Sequence, residues 1–196
     1  MKKALSTRQN ILEKAFDIIY TKSYQTTSID EIIATTKVTK GAFYYHFKTK
    51  DEMGIAIINE IVKPTMEEAY IAPLRNVANP IEQIYAMITS LLLETPYLKP
   101  AYGCPAGNLI QEMSPWHTEF SKALNELVLE WKTAIENCLQ KEIENGTIAK
   151  TTNPKQVAQF VISSYWGTRN LAKIATSTNC YRDYLNELKR YLNNLK

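Results

Sequence analysis

From Thr7 to Tyr20, Ile11, Leu12, Ala15, Phe16, Ile18 and Ile19 fall on one broad side of a 3.6-residue period, with Arg8, Glu13, Lys14 and Asp17 on the other. This pattern predicts an amphipathic helix ending near Lys22 to Tyr24. The following TTSIDEIIATT offers two capping boxes, Thr27 with Asp30 or Ser28 with Glu31. Ile29, Ile32 and Ile33 then form the buried stripe of a short helix that runs to about Thr36. Val38 packs into a turn, and Thr39 caps a third helix from Lys40 to Phe47. Thr49 with Glu52 repeats the capping signature and opens a fourth helix through about Val62, with a stop expected near Pro64.

Beyond Val62 the helical period continues in longer segments. PIEQIYAMITSLLLET begins with Pro80 in a first-turn position, and Pro96 and Pro100 break the chain after it. Pro105 leads a short helix in CPAGNLIQEMS, closed by Pro115. Residues 117–145 hold the longest stripe, Phe120, Leu124, Leu127, Val128, Trp131, Ile135, Leu139 and Ile143, with Gly146 as its C-cap. Further helices are expected from Asn153-Pro154 to about Thr176 and from Tyr181 to Leu195. The fold class is therefore all-α, with a small N-terminal domain over residues 1–52, a connecting helix at about 50–63, and a larger helical domain over 53–196.

Three helices within about 45 residues, the second and third joined by a tight turn, form a helix-turn-helix arrangement. In TKGAFYYHFKTK, Phe43 and Phe47 suit the buried side of a recognition helix, while Lys40, Tyr44, Tyr45, His46 and Lys50 suit a nucleic-acid face. Gly41 and Ala42 permit close approach of the backbone. Charge favours the same end of the chain: residues 1–50 carry nine Lys or Arg against four Asp or Glu, an excess of +5, whereas the remaining 146 carry fourteen against sixteen. A polyanion would be drawn to the N-terminal quarter.

The span from about Thr7 to Glu52 resembles the N-terminal domain of the TetR family of transcriptional repressors, above all through TTSIDEIIATTKVTKGAFYYHFKTKDEM. Met53 stands where that pattern usually has Leu. The resemblance implies phosphate contacts from Thr27, Ser28, Tyr44, His46 and Lys50, and groove contacts from Thr39, Lys40, Ala42 and Tyr45. It also implies a homodimer that binds double-stranded operator DNA through two half-sites and pairs through the last two helices, where Tyr165, Trp166, Gly167 and Arg169 lie. A small-molecule inducer would occupy a pocket among the middle helices, with Tyr85, Met87, Cys104, Met113, Trp116, Phe120, Trp131, Tyr165 and Trp166 as candidate walls. Repression relieved by that inducer is the expected mode of action.

Cys104, between Gly103 and Pro105 at a helix N-terminus, opens a second route, in which an electrophile or oxidant modifies the thiol. Gly-Cys-x-x-Gly-Asn-Leu-x-x-Glu is similar to a branch of the family with such a sensor. Catalysis is not expected: Cys104 and His117 have no orienting third group, and the sequence has no glycine-rich phosphate loop, no zinc-ligand spacing and no sign of a cofactor. An interaction module without DNA binding fits the Thr39 to Lys50 stretch poorly. Cys104, Cys138 and Cys180 are expected as free thiols, and without a signal-like apolar block or a spanning segment the expected location is the cytoplasm, away from membranes.

Overall fold

The computed structural model describes residues 6–175 and 177–195, and these are helical almost throughout, with no strand among them. In chain order the helices are α1 (Thr7–Thr21), α2 (Ile29–Thr36), α3 (Lys40–His46), α4 (Lys50–Ile57), α5 (Lys63–Met66), α6 (Pro80–Thr89), α7 (Pro105–Met113), α8 (Thr118–Glu144), α9 (Pro154–Ala175) and α10 (Asn179–Asn193). The expected end of the ninth helix at about Thr176 lies outside the described residues. Two compact units form. One takes in the chain up to Pro64 together with Pro105–Asn125; the other takes in Thr65–Cys104 and Glu126 onward.

In the first unit, local capping sets most boundaries. The Ser6 side chain accepts from Gln9 N at the start of α1, Ser28 from Glu31 N at α2, Thr39 from Ala42 N at α3, and Thr49 from Glu52 N at α4. At α4 Glu52 also reaches back past the cap, its carboxylate accepting from Lys48 N at 2.7 Å. Of the two caps the sequence offers for α2, Ser28 is used. Lys37 ends α2 in the left-handed region, φ 57°, and turns the chain into α3. Ile11, Leu12, Ala15, Ile32, Phe43, Phe47 and Met53 make the core of this unit.

The expected stop near Pro64 is corrected by the structure. After α4 the chain winds on through a π-helical turn at Ile58–Val62, then α5, a second π-helical turn at Glu67–Ile71 and a 3-10 turn at Ala72–Leu74. Lys63 N bonds to Ile58 O, five residues back. An α-helical turn would set the proline ring against the carbonyl four residues earlier; here a wider turn leads into the proline. α6 likewise runs into a π-helical turn at Ser90–Glu94.

The second unit packs around buried Tyr70, Leu91, Trp131, Ile135, Leu139, Val161, Tyr165, Tyr181, Leu185 and Leu188. Gly146, with φ 79°, closes α8 as expected, its N–H donating to Ile143 O. Cys138 lies on the buried face of α8, and burial pushes its thiol up to about 12. Among the described residues no helix is long and apolar enough to cross a membrane, and no group of metal-ligating side chains assembles.

Candidate nucleic-acid interface

α3 has two faces of opposite character. Phe43 and Phe47 are fully buried, and the Arg8 guanidinium lies 4.8 Å from the Phe47 ring centroid. On the other side Tyr45 is 80% exposed, its ring packed edge-on against His46, and Tyr44 is partly exposed. Lys40 is solvent-facing and makes a 3.2 Å ion pair with Asp30 on α2. Ala42 and Gly41 leave the helix start uncrowded; the nearest atom to a Cβ built on Gly41 is Thr39 Oγ1 at 4.0 Å. This arrangement presents phenols, an imidazole and an ammonium on one short helix, a donor set suited to phosphates and base edges.

Ser28, exposed at the N-terminus of α2, extends the same polar surface. Thr27 does not: it is 1% exposed and its hydroxyl donates inward to Ser23 O at 2.6 Å. The structure thus turns one expected phosphate contact into a loop brace, because its hydroxyl satisfies a carbonyl that the loop would otherwise leave bare. Lys50 is half-buried. Its ammonium sits 4.4 Å from the Tyr24 ring centroid and donates to Gln25 O at 3.3 Å, and burial lowers its pKa from the ordinary lysine value.

Behind this surface lies a polar network that sequence reasoning missed. Glu112, on α7, accepts from Ser23 Oγ at 2.7 Å and Gln25 N at 2.6 Å through one oxygen, and from Tyr24 N at 3.0 Å through the other. Its backbone carbonyl accepts from Gln25 Nε2 and Trp116 Nε1. The buried Tyr24 hydroxyl donates to Asp51 at 2.6 Å, and its pKa is held far above the ordinary phenol range, first by burial and then by Asp51. His117 Nδ1 accepts from Phe120 N at 3.5 Å, and its Nε2 lies 3.4 Å from Asp51 Oδ2. The partners of Glu112 are 87 to 89 residues distant in sequence. Only the isolated acidic residue in GNLIQEMS hints at it.

The second unit gathers a different chemistry. The Tyr70 and Tyr165 hydroxyls are 3.2 Å apart, and Trp131 meets both rings edge-on at 5.0 and 5.6 Å. Burial holds both phenols well above their ordinary range. Trp131 Nε1 is buried with no hydrogen-bond partner among the described residues. Arg169, fully buried, donates to Leu98 O at 3.0 Å, Lys99 O at 3.2 Å and Gly103 O, which pins the segment leading into Cys104. Cys104 is buried in the same region, and Tyr70, Tyr97, Tyr165 and Tyr181 are held above the ordinary phenol range first by burial, with a smaller contribution from Cys104.

Of the other expected pocket residues, Met87 is buried and Tyr85 is half-buried with Lys189 Nζ 5.5 Å from its ring centroid, both in this unit. Met113, Trp116 and Phe120 belong to the first unit. There Phe120 packs on Tyr24 and His117, and Trp116 is a surface residue, 59% exposed, in the turn that Pro115 forces between α7 and α8. The expectation that Trp116 walls an enclosed pocket is corrected accordingly.

Two family descriptions match the chain: "Bacterial regulatory proteins, tetR family" over residues 11–57, and "Tetracyclin repressor-like, C-terminal domain" over residues 80–188. An uncharacterised HTH-type transcriptional regulator from the lacX 3' region of Lactococcus lactis is 30% identical over 190 residues, covering 94% of this chain and 92% of its own. The HTH-type transcriptional repressor DhaR of Mycobacterium sp. strain GP1 is 27% identical, covering 82% of this chain and 79% of its own. Among solved structures, a TetR-family transcriptional regulator from Cytophaga hutchinsonii superposes with a TM-score of 0.86 at 22% identity, covering 99% of this chain and 98% of its own.

Proposed function

The chain belongs to the TetR family of bacterial regulatory proteins, and from that premise we propose that it is a repressor that grips palindromic operator DNA as a homodimer and is released by a small-molecule inducer. Residues 1–52 read the DNA, and residues 53–196 bind the inducer and pair the subunits. The observation that carries the reading is the division of α3, with Phe43 and Phe47 fully buried while Tyr45, Tyr44 and Lys40 face outward. One helix this short spans only a few base pairs, so two-fold pairing supplies the second half-site. The protein acts in the cytoplasm, where its operator lies.

The inducer occupies the aromatic cluster of Tyr70, Trp131 and Tyr165, where the buried Trp131 Nε1 offers a donor to an acceptor atom of the ligand. A ligand that prefers one dimer geometry lowers DNA affinity by as much as its own affinities for the two geometries differ. In a second reading modification of Cys104 does the same work, supported by its place directly before the N-terminus of α7, where the helix dipole favours a thiolate against the opposing effect of burial. Neither reading assigns the protein any catalysis.

The test is fluorescence anisotropy with a labelled duplex taken from upstream of the protein's own coding sequence, titrated at several salt concentrations. Tight binding that weakens steeply with salt, and is reduced in a folded Lys40→Ala variant, is the expected result. Salt-insensitive binding, or none, would remove the DNA-reading assignment. Release by a thiol-reactive electrophile in wild type but not in Cys104→Ser would select the cysteine route over reversible ligand binding.

A further inference from the structure

The Glu112 carboxylate occupies an unusual place for a residue on α7: it closes the loop between α1 and α2. Both its oxygens are used, one taking Ser23 Oγ and Gln25 N, the other Tyr24 N, at 2.6 to 3.0 Å. All these partners are donors, and a carboxylate offers acceptors at both of its oxygens. The loop so held does two things for the outer surface. Gln25 O receives the Lys50 ammonium and the Tyr24 ring underlies it, while Thr27 and Ser28 pass directly into the N-cap of α2.

We infer that Glu112 is a positioning residue for DNA reading, fixing the Lys50 ammonium and the α2 N-terminus against the phosphate backbone through the Ser23–Gln25 loop. The inference rests on the DNA-binding function proposed above. Glu112→Gln is the informative change, since it keeps the size of the side chain but turns an NH2 group toward a backbone N–H. A donor then meets a donor, and the loop loses its clasp.

The experiment compares wild type, Glu112→Gln, Lys50→Ala and the double variant, each shown by circular dichroism to be folded, in anisotropy titrations against the labelled upstream duplex over a range of salt concentrations. Glu112→Gln is expected to weaken binding about tenfold, and to flatten the log–log salt dependence by about 0.9 for each phosphate no longer neutralised. The double variant should be weaker than Lys50→Ala by less than the full Glu112→Gln effect, because part of that effect runs through the Lys50 contact. Amide exchange at Tyr24 and Gln25 should speed up in Glu112→Gln. Ser23→Ala, which removes one donor without touching Glu112, should shift affinity and slope in the same direction and serves if Glu112→Gln does not fold. Wild-type affinity and slope in these variants, or effects of Glu112→Gln and Lys50→Ala that multiply fully, would overturn the inference while leaving the DNA-binding function standing; absence of wild-type binding would overturn both.

Discussion

Lys37 is the hinge between two helices, and its backbone angle is held against preference. Its φ of 57° is left-handed, a conformation that costs an L-residue with a Cβ roughly 1–2 kcal/mol. Glycine carries no such cost at a helix C-terminus. Lys37→Gly is therefore expected to raise the melting temperature, by about 2–4 °C for each kcal/mol recovered in a chain of this size. A thermal melt followed by circular dichroism checks it, and a lowered midpoint would mean that the lysine side chain contributes more than its backbone costs. At this scale the sequence was readable wherever partners are close along the chain: Ser28, Thr39 and Thr49 each cap an amide three residues ahead. It was silent on Glu112 and on the inward turn of Thr27, whose settings depend on the folded loop.

Helix α4 shows how an element is fitted to its neighbours. Gly54 lies within it, buried, and a Cβ placed there would come 2.5 Å from Phe120 Cζ and 2.7 Å from Tyr24 Cε2. Alanine improves intrinsic helix propensity by about 1 kcal/mol over glycine, yet overpacking a filled site costs about 1–3 kcal/mol and here would push on the ring that carries Asp51 and Lys50. Gly54→Ala is thus expected to lower the melting temperature, and a rise would show that propensity outweighs the steric conflict. Helix starts and most helix ends were legible from periodicity and caps. The passage through Pro64 was not, because a proline forbids the α-helical turn but leaves a π-helical one open, and hydrophobic spacing does not separate the two.

For the whole molecule the decisive surface is the outer face of α9, where Phe160, Gly167, Leu171 and Ile174 recur at helical spacing, Ile174 being 83% exposed. In the proposed homodimer this stripe is covered by its copy. Ile174→Glu is expected to shift the protein toward monomer in sedimentation velocity; an unchanged dimer would place the subunit contact elsewhere. The sequence marked this face of α9 only through the family pattern, since an apolar residue facing a partner and one facing its own core have the same period. The three tryptophans lead to a different kind of consequence. Trp116 is on the surface of the first unit, whereas Trp131 is sealed in the second, with Trp166 at its edge. An aqueous quencher such as iodide should therefore darken Trp116 first and leave the blue-shifted emission of Trp131, so the protein carries a separate optical reporter in each of its two units.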